Sequence, residues 1–303
     1  MSELNIGTIE DIEMLGSEAN CLKGSYFIPS EKSDKPPVLF MHGGGQTRHS
    51  WKGAASMMAH HGYPSFTFDA RGHGDSDWIA NKHYSIQYFR DDLRALTTQL
   101  TAKIQRPMIV IGASLGGISA MLAQAEGGSE TNTALFQAIV LVDITPRMTS
   151  SGVDKILGFM GQNMRDGFAT VEDAADVIAS YLPTRTRPKS LEGLSKNLRK
   201  RADGRWYWHW DPAFVDGSNS ISKGGEGHVE VLIDAVKKID VPTLLVRGGK
   251  SELVTKEAAN EFLELVPHAQ FVDVSEAGHM VAGDKNDVFA SAVLKFLQSQ
   301  DKV

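Results

Sequence analysis

The sequence predicts an α/β fold, in which a mostly parallel central sheet has helices on both faces and carries an inserted helical cap. Short aliphatic runs alternate along the chain with longer helical patterns. These runs are continuously apolar, which is typical of strands that are buried on both faces of a parallel sheet. One stretch of about ninety residues interrupts the alternation. It is far longer than the connections usual in α/β domains, and we therefore predict that it forms a separate cap.

The predicted strands each end at a turn signal, and they span residues 38–41, 65–68, 108–111, 138–142, 243–246 and 270–274. Helical patterns are predicted over residues 50–61, 85–102, 115–126, 256–265 and 287–298. From about Pro146 to Val236 the chain offers helical stretches but no convincing buried strand, with a rigid turn predicted at 183–188. The expected organisation is a core of residues 1–145 and 237–303 with a helical cap of residues 146–236.

The composition is that of an ordinary globular protein, with 303 residues, 42% hydrophobic and 22% charged. The formal net charge of -6 gives no support to nucleic-acid binding, which requires a clustered cationic face. Cys21 is the single cysteine, so an intrachain disulfide and a cysteine metal site are excluded. Residues 1–5 do not resemble a signal peptide, and no apolar run approaches the roughly 18 residues of a membrane span. We expect a cytoplasmic protein without cofactor, metal, nucleic-acid or membrane partner; its oligomeric state stays open.

The strongest motif is Gly112-Ala113-Ser114-Leu115-Gly116, which follows a predicted buried strand and opens a predicted helix. A sharp strand-to-helix turn places its central residue in a strained conformation and exposes the side chain above the sheet. The small residues on either side leave room for the neighbouring chain. This context favours Ser114 as a nucleophile.

A nucleophilic serine requires a base within hydrogen-bond reach and an acid that orients the base. His279 follows the last predicted strand and precedes the final helix. It therefore lies at the carboxyl edge of the sheet, as Ser114 does, where open α/β sheets bind ligands. His42 and His73 lie at the same edge, but we expect His42 to order its loop through hydrogen bonds. His279 is the best candidate base.

Several segments together resemble the α/β-hydrolase superfamily, in particular its esterase and lactonase-like branch with a helical cap, over nearly the whole chain. The matching segments are residues 42–45 (HGGG), 69–76 (DARGHGDS), 112–116 (GASLG), 247–252 (RGGKSE) and 278–279 (GH). The family order of nucleophile, acid and base would be met by Ser114, Glu252 and His279. Asp143 is the alternative acid, because some relatives take this group from the earlier strand.

An oxyanion requires two N–H donors, and the amide next to the nucleophile, that of Leu115, is one candidate. The resemblance implies that Gly44 supplies the other, since glycines let the backbone approach a substrate closely. Asp69 and Arg71 are predicted to form an ion pair that fixes their loop. In the cap, alternation predicts one shared face for Trp206, Trp208 and Trp210, which either attach the cap to the core or line an apolar substrate pocket.

The serine nucleophile favours hydrolysis of a small carboxylic ester or lactone through an acyl-enzyme. A C–C bond hydrolase acting on β-diketones is one alternative, although Gly45 is followed by Gln46 where such relatives tend to carry a nearby proline. A cofactor-free perhydrolase or haloperoxidase-like enzyme would use the same triad with peroxide. A non-enzymatic ligand receptor on the same scaffold is the alternative from a different class.

Overall fold

A computed structural model describes residues 6–127, 134–182, 191–195, 197–223, 227–281 and 286–300, so the turn predicted at 183–188 lies outside the described residues. Within these ranges eight strands form one sheet in the order β1-β2-β4-β3-β5-β6-β9-β10. The strands are β1 (Ile9–Leu15), β2 (Cys21–Phe27), β3 (Val38–Met41), β4 (Ser65–Phe68), β5 (Met108–Ala113), β6 (Phe136–Val142), β9 (Thr243–Gly248) and β10 (Gln270–Val274). The six strands β4, β3, β5, β6, β9 and β10 run parallel to one another. Strands β1 and β2 are antiparallel and form one edge of the sheet.

The helices, in chain order, are α1 (Lys52–His60), α2 (Ile86–Ile104), α3 (Leu115–Glu126), α4 (Ser150–Gly161), α5 (Val171–Tyr181), α6 (Glu192–Ser195), α7 (Ala213–Asp216), α8 (Gly227–Val236), α9 (Lys256–Leu265) and α10 (Asn286–Gln300). A 3₁₀ turn, Arg48–Trp51, begins the segment in which the sequence predicts a single helix. Helices α1 and α10 pack on one face of the sheet, and α2, α3, α8 and α9 on the other. The predicted α/β fold class, a mostly parallel sheet with helices on both faces, is therefore confirmed.

Strand β3 shows why the aliphatic runs form the centre of the molecule. All four of its side chains are buried. Val38 and Phe40 join the hydrophobic cluster of α1 and α10, while Leu39 and Met41 join the cluster of the opposite face. A strand that contributes to two cores must be apolar at every position, because successive side chains point to opposite faces. This burial fixes the carboxyl ends of the parallel strands at one edge of the sheet.

The segment between β6 and β9 differs from its predicted description in two respects. It contains a hairpin of β7 (Leu198–Lys200) and β8 (Trp206–Trp208), although no strand is predicted there. Helix α8, at its end, belongs to the same hydrophobic core as α3 through Leu232, Ala235 and Val236. The sequence prediction assigns α8 to the cap, whereas in the structure this helix covers the sheet like the other crossover helices. We call the described residues between 146 and 223 the insertion.

Candidate active site

Ser114 occupies a sharp turn between β5 and α3, with φ +46° and ψ −113°. Two glycines make this turn possible. A Cβ on Gly112 would lie 2.5 Å from the carbonyl carbon of Gly116, and a Cβ on Gly116 would lie 2.4 Å from the oxygen of Met41. Because the helix crosses the strands this closely, larger residues cannot occupy these two positions. The motif therefore holds Ser114 in a conformation that costs a non-glycine residue about 1–3 kcal/mol.

His279 and Asp143 form a hydrogen-bonded pair at the same edge of the sheet, with 2.7 Å between Nδ1 and Oδ2. Asp143 directly follows β6 and is completely buried. Its carboxylate also accepts hydrogen bonds from the amide of Gly248 (2.9 Å) and the hydroxyl of Ser251 (2.5 Å). Three donors thus surround this acid, and its bond to Nδ1 leaves Nε2 of His279 as the nitrogen available to Ser114.

Glu252 does not contact His279, contrary to the preference for this residue as the acid. Its side chain is 64% exposed and pairs with Lys155 of α4. The loop after β9 instead directs Ser251 towards the sheet, where its hydroxyl also accepts the amide of Val254 at 3.1 Å. The carboxylate of Glu252, one residue later, consequently points to the surface. The structure places the alternative acid, Asp143, against the histidine.

The glycine loop, residues 43–46, approaches Ser114 from β3. A Cβ added to Gly43 would lie 3.2 Å from the Ser114 Cβ. The amides of Gly43 and Gly45 donate to side chains, whereas the Gly44 amide has no acceptor in the described part of the chain. The Leu115 amide, as the first of α3, has no partner within its own helix. Both predicted oxyanion donors therefore remain available for a ligand.

Three buried histidines surround this loop. His42 donates Nδ1–H to the Gly43 carbonyl (2.8 Å) and accepts the Ala70 amide, so it orders the loop as predicted. His73 and His209 approach Gly45. Burial lowers the pKa of all three histidines, that of His73 to about 3. The histidines are therefore neutral at physiological pH.

We expect the stability of the protein to fall when the pH decreases from about 6.5 towards about 3. A histidine in the unfolded chain titrates near 6.5, so in this window the unfolded chain binds more protons than the folded protein. Each buried histidine then lowers the free energy of unfolding by up to about 1.4 kcal/mol per pH unit. Urea unfolding between about pH 5 and pH 8 measures this slope. His73→Gln should flatten it and the exposed control His60→Gln should not; equal slopes in the two variants would contradict the assignment.

Asp69 and Arg71 do not form the predicted ion pair. Asp69 is completely buried and pairs with Arg48. The Arg71 guanidinium binds Asp92 of α2 through two bonds, 2.7 and 2.6 Å long, and reaches Glu18 at 2.7 Å. The two side chains thus diverge towards partners on different elements. Each still anchors the loop after β4, because the partners Arg48 and Asp92 are themselves buried.

Ser114 and His279 line one cavity of about 180 Å³. Half of the described lining residues come from the insertion, and nearly all of these are apolar, including Ile156, Phe159, Met160, Tyr181, Trp208 and Trp210. The rings of Trp208 and Trp210 are stacked with centroids 4.8 Å apart, and those of Phe159 and Tyr181 are 4.2 Å apart. No aspartate, glutamate, lysine or arginine is found among the described residues that line the cavity.

Two of the three predicted tryptophans face this cavity. Trp206 is not among the residues that line it, and its backbone pairs with that of Phe168. Sequence reasoning also missed Gln46, which lines the cavity, accepts the Gly43 amide at 3.1 Å and lies 2.8 Å from the Met280 sulfur. Its place directly after the three glycines was the available signal. Phe159 and Tyr181 carried no such signal in the sequence. An aromatic residue in a helical pattern can pack against any neighbouring element, so its position in the sequence does not indicate a substrate pocket.

Comparison with known proteins identifies the family. A family model of the alpha/beta hydrolase fold matches residues 36–285. The chain belongs to the α/β hydrolase fold family. This hydrolase is 28% identical over 258 residues to an esterase of Mycobacterium tuberculosis, which covers 82% of this chain and 78% of that protein. It is also 28% identical over 285 residues to the sn-1-specific diacylglycerol lipase of Mus musculus. This match covers 90% of this chain and 84% of the lipase.

Solved structures agree on the fold of this hydrolase. An α/β hydrolase from Novosphingobium aromaticivorans superimposes with a TM-score of 0.77 at 23% identity, covering 96% of this chain and 98% of the other. Across the described ranges, no helix combines the length and apolarity needed to cross a membrane. In the same ranges, no three histidine, cysteine, aspartate or glutamate side chains are grouped so that they could hold a metal ion.

Proposed function

We propose that this hydrolase cleaves small, uncharged carboxylic esters or lactones through an acyl-enzyme on Ser114. The observation that carries the proposal is the Asp143–His279 hydrogen bond beside a cavity that both His279 and Ser114 line. The similarity to the esterase of Mycobacterium tuberculosis and to the mouse lipase supports an ester substrate, since both proteins are named for the cleavage of ester bonds.

In the proposed mechanism, the Ser114 hydroxyl attacks the ester carbonyl while Nε2 of His279 takes its proton. Asp143 keeps the imidazole in the Nδ1–H tautomer and stabilises the imidazolium that forms. The negative charge of the tetrahedral intermediate lies on the former carbonyl oxygen, where the amides of Gly44 and Leu115 donate to it. His279 returns the proton to the departing alcohol, and water activated by the same histidine then releases the acid.

The cavity wall favours an apolar substrate without a charged group. A carboxylate or ammonium group buried there would lack an ionic partner among the described lining residues, and burying an unpaired charge is very costly. A cavity of about 150 Å³ is known to hold benzene, so the 180 Å³ here accommodates one aromatic ring or a short aliphatic chain. The stacked tryptophans offer a flat surface for such a ring.

A panel of p-nitrophenyl esters and lactones tests the proposal. Acetate, butyrate and benzoate esters should be hydrolysed, with kcat/KM at least about tenfold lower for a dodecanoate and for a succinate half-ester. Phe159→Ala, which enlarges the cavity, should move the preference towards longer chains. Trp78→Ala removes an aromatic side chain that is 42% exposed and should leave the preference unchanged.

Three other results would identify the alternatives. Cleavage of a β-diketone in preference to every ester would assign C–C bond hydrolysis. Peroxide-dependent turnover that exceeds hydrolysis would assign perhydrolase activity. A fluorophosphonate adduct on Ser114 without turnover of any ester would favour a ligand receptor.

A further inference from the structure

The three consecutive peptide units of the glycine loop are each held by a different buried histidine. His42 donates to the Gly43 carbonyl at 2.8 Å. His73 accepts the Gly45 amide at 3.1 Å, and His209 lies 3.2 Å from the Gly45 carbonyl. Since a peptide unit is planar, a bond to its carbonyl or its N–H fixes the whole unit. The bond to the Gly43 carbonyl thus also sets the direction of the Gly44 N–H.

These contacts require defined tautomers of His73 and His209. His209 accepts the Gly74 amide at Nδ1 (2.7 Å), so its proton lies on Nε2 and is donated to the Gly45 carbonyl. His73 lies 2.9 Å from the Arg71 carbonyl through Nδ1, which therefore carries the proton and leaves Nε2 to accept the Gly45 amide. Every nitrogen of the two rings has a partner, and Gly45 is bonded on both sides.

The loop needs such support because three glycines in a row have great conformational freedom. Gly45 itself has φ +73°. An oxyanion hole acts through donors that are already oriented before the reaction, so freedom in this loop would weaken transition-state stabilisation. Two of the three histidines come from the sheet edge, but His209 belongs to the insertion and directly follows β8. Its sequence neighbours Trp208 and Trp210 line the cavity.

We propose that His209 is a positioning residue that acts on the Gly44 N–H through one backbone hydrogen bond. By holding the Gly45 carbonyl it fixes the Gly45–Gln46 peptide unit, whose N–H donates to the Gly43 carbonyl at 3.1 Å. This bond, together with the one from His42, holds the unit that carries the Gly44 N–H, so the oxyanion hole is correctly oriented only while His209 contacts Gly45. This inference rests on the proposed hydrolysis at Ser114. His209 contacts no reacting atom and acts through the backbone of the glycine loop.

His209→Phe and His209→Gln test this role. Phenylalanine keeps the ring but removes both nitrogens, whereas glutamine restores one acceptor and one donor on neighbouring atoms. We expect kcat to fall about tenfold to a hundredfold in His209→Phe with KM changed less than about threefold, and to recover most of its value in His209→Gln. An aryl trifluoromethyl ketone, whose carbonyl adds the serine hydroxyl and forms an oxyanion, should bind His209→Phe more weakly by the same factor as kcat/KM falls.

Tyr84→Phe is the matched control. The Tyr84 hydroxyl donates to Asp211 of the insertion at 2.8 Å and accepts the Ile79 amide at 2.8 Å, so its removal costs one contact between the insertion and the core and leaves the hydrogen bonds of His209 untouched. It does not contact the glycine loop. Tyr84→Phe should lower the melting temperature while ketone binding stays within about twofold of wild type. Equal loss of ketone binding in both variants would mean that His209 only stabilises the fold.

Crystal structures of the two His209 variants test the positioning without any activity. The peptide between Gly45 and Gln46 should change orientation in His209→Phe and keep it in His209→Gln; an unchanged peptide in both would overturn the inference. An active wild type with unimpaired His209→Phe would also overturn it and leave the proposed function intact. A wild type that hydrolyses no ester and binds no ketone would instead refute the proposed function, and the crystal structures would still decide the role of His209.

Discussion

Asp143→Asn is expected to lower kcat by about ten-thousandfold, the loss that the corresponding change causes in a serine protease. Asp143 accepts from the Gly248 amide through Oδ1 and from His279 through Oδ2. If the asparagine oxygen keeps the bond to Gly248, its NH₂ group faces Nδ1 of the histidine. Nδ1 must then accept, the proton moves to Nε2, and the imidazole can no longer take the Ser114 proton.

Glu252→Gln is the matched control for this substitution, because it makes the same chemical change in the neighbouring loop. Its partner Lys155 is 44% exposed, and exposed ion pairs contribute only about 0–1 kcal/mol. We expect kcat within about twofold of wild type. Both variants require melting temperatures alongside the kinetics, since Asp143 is buried and its loss can also destabilise the fold. Inactive Glu252→Gln together with active Asp143→Asn, both folded, would reverse the assignment of the acid.

Ser114→Ala should abolish ester hydrolysis, because no other described nucleophile that lines the cavity with His279 lies on a strand-to-helix turn. The substitution removes one oxygen and leaves the strained backbone, φ +46°, to be adopted by another non-glycine residue. Melting temperature and binding of a non-hydrolysable substrate analogue should therefore change little. Turnover within tenfold of wild type would show that the nucleophile is a different residue.

The double variant Ser114→Ala/His279→Ala examines whether the two residues act as one unit. Members of a triad contribute jointly, so the double variant should be little slower than either single variant. Steady-state rates of all three proteins, measured above the uncatalysed hydrolysis of the ester, provide the comparison. Losses that multiply would indicate independent roles for Ser114 and His279.

The parallel part of the fold could be read from the sequence because its signals are local. Runs such as 38–41 are apolar at every position, as a strand covered on both faces requires, and their shortness and flanking turn residues favour a strand over a buried helix. The edge strand β1 lacks that pattern, since its residues are largely exposed and include Glu10, Asp11 and Glu13. The hairpin β7–β8 was missed for a related reason: three-residue strands are too short to show a period.

The choice between Glu252 and Asp143 could not be made from the sequence. Both residues follow parallel strands, and both can reach the edge where His279 lies. Their order along the chain does not say which side chain turns inwards. That depends on the loop after β9, where the Ser251 hydroxyl binds Asp143 and the next residue is directed to solvent. Such a loop is set by hydrogen bonds between residues more than a hundred positions apart.

The sequence by itself determined the α/β fold class, the turn that carries Ser114 and the edge at which His279 and the glycine loop lie. These features follow from continuous apolar runs and from glycines that permit a close crossing of strand and helix. Only the tertiary structure decided which acid faces His279 and which side chains from the insertion enclose the cavity. It also decided that His209 contacts Gly45, 164 positions away in the chain. Contacts of this kind depend on how separate elements pack, and no local pattern encodes them.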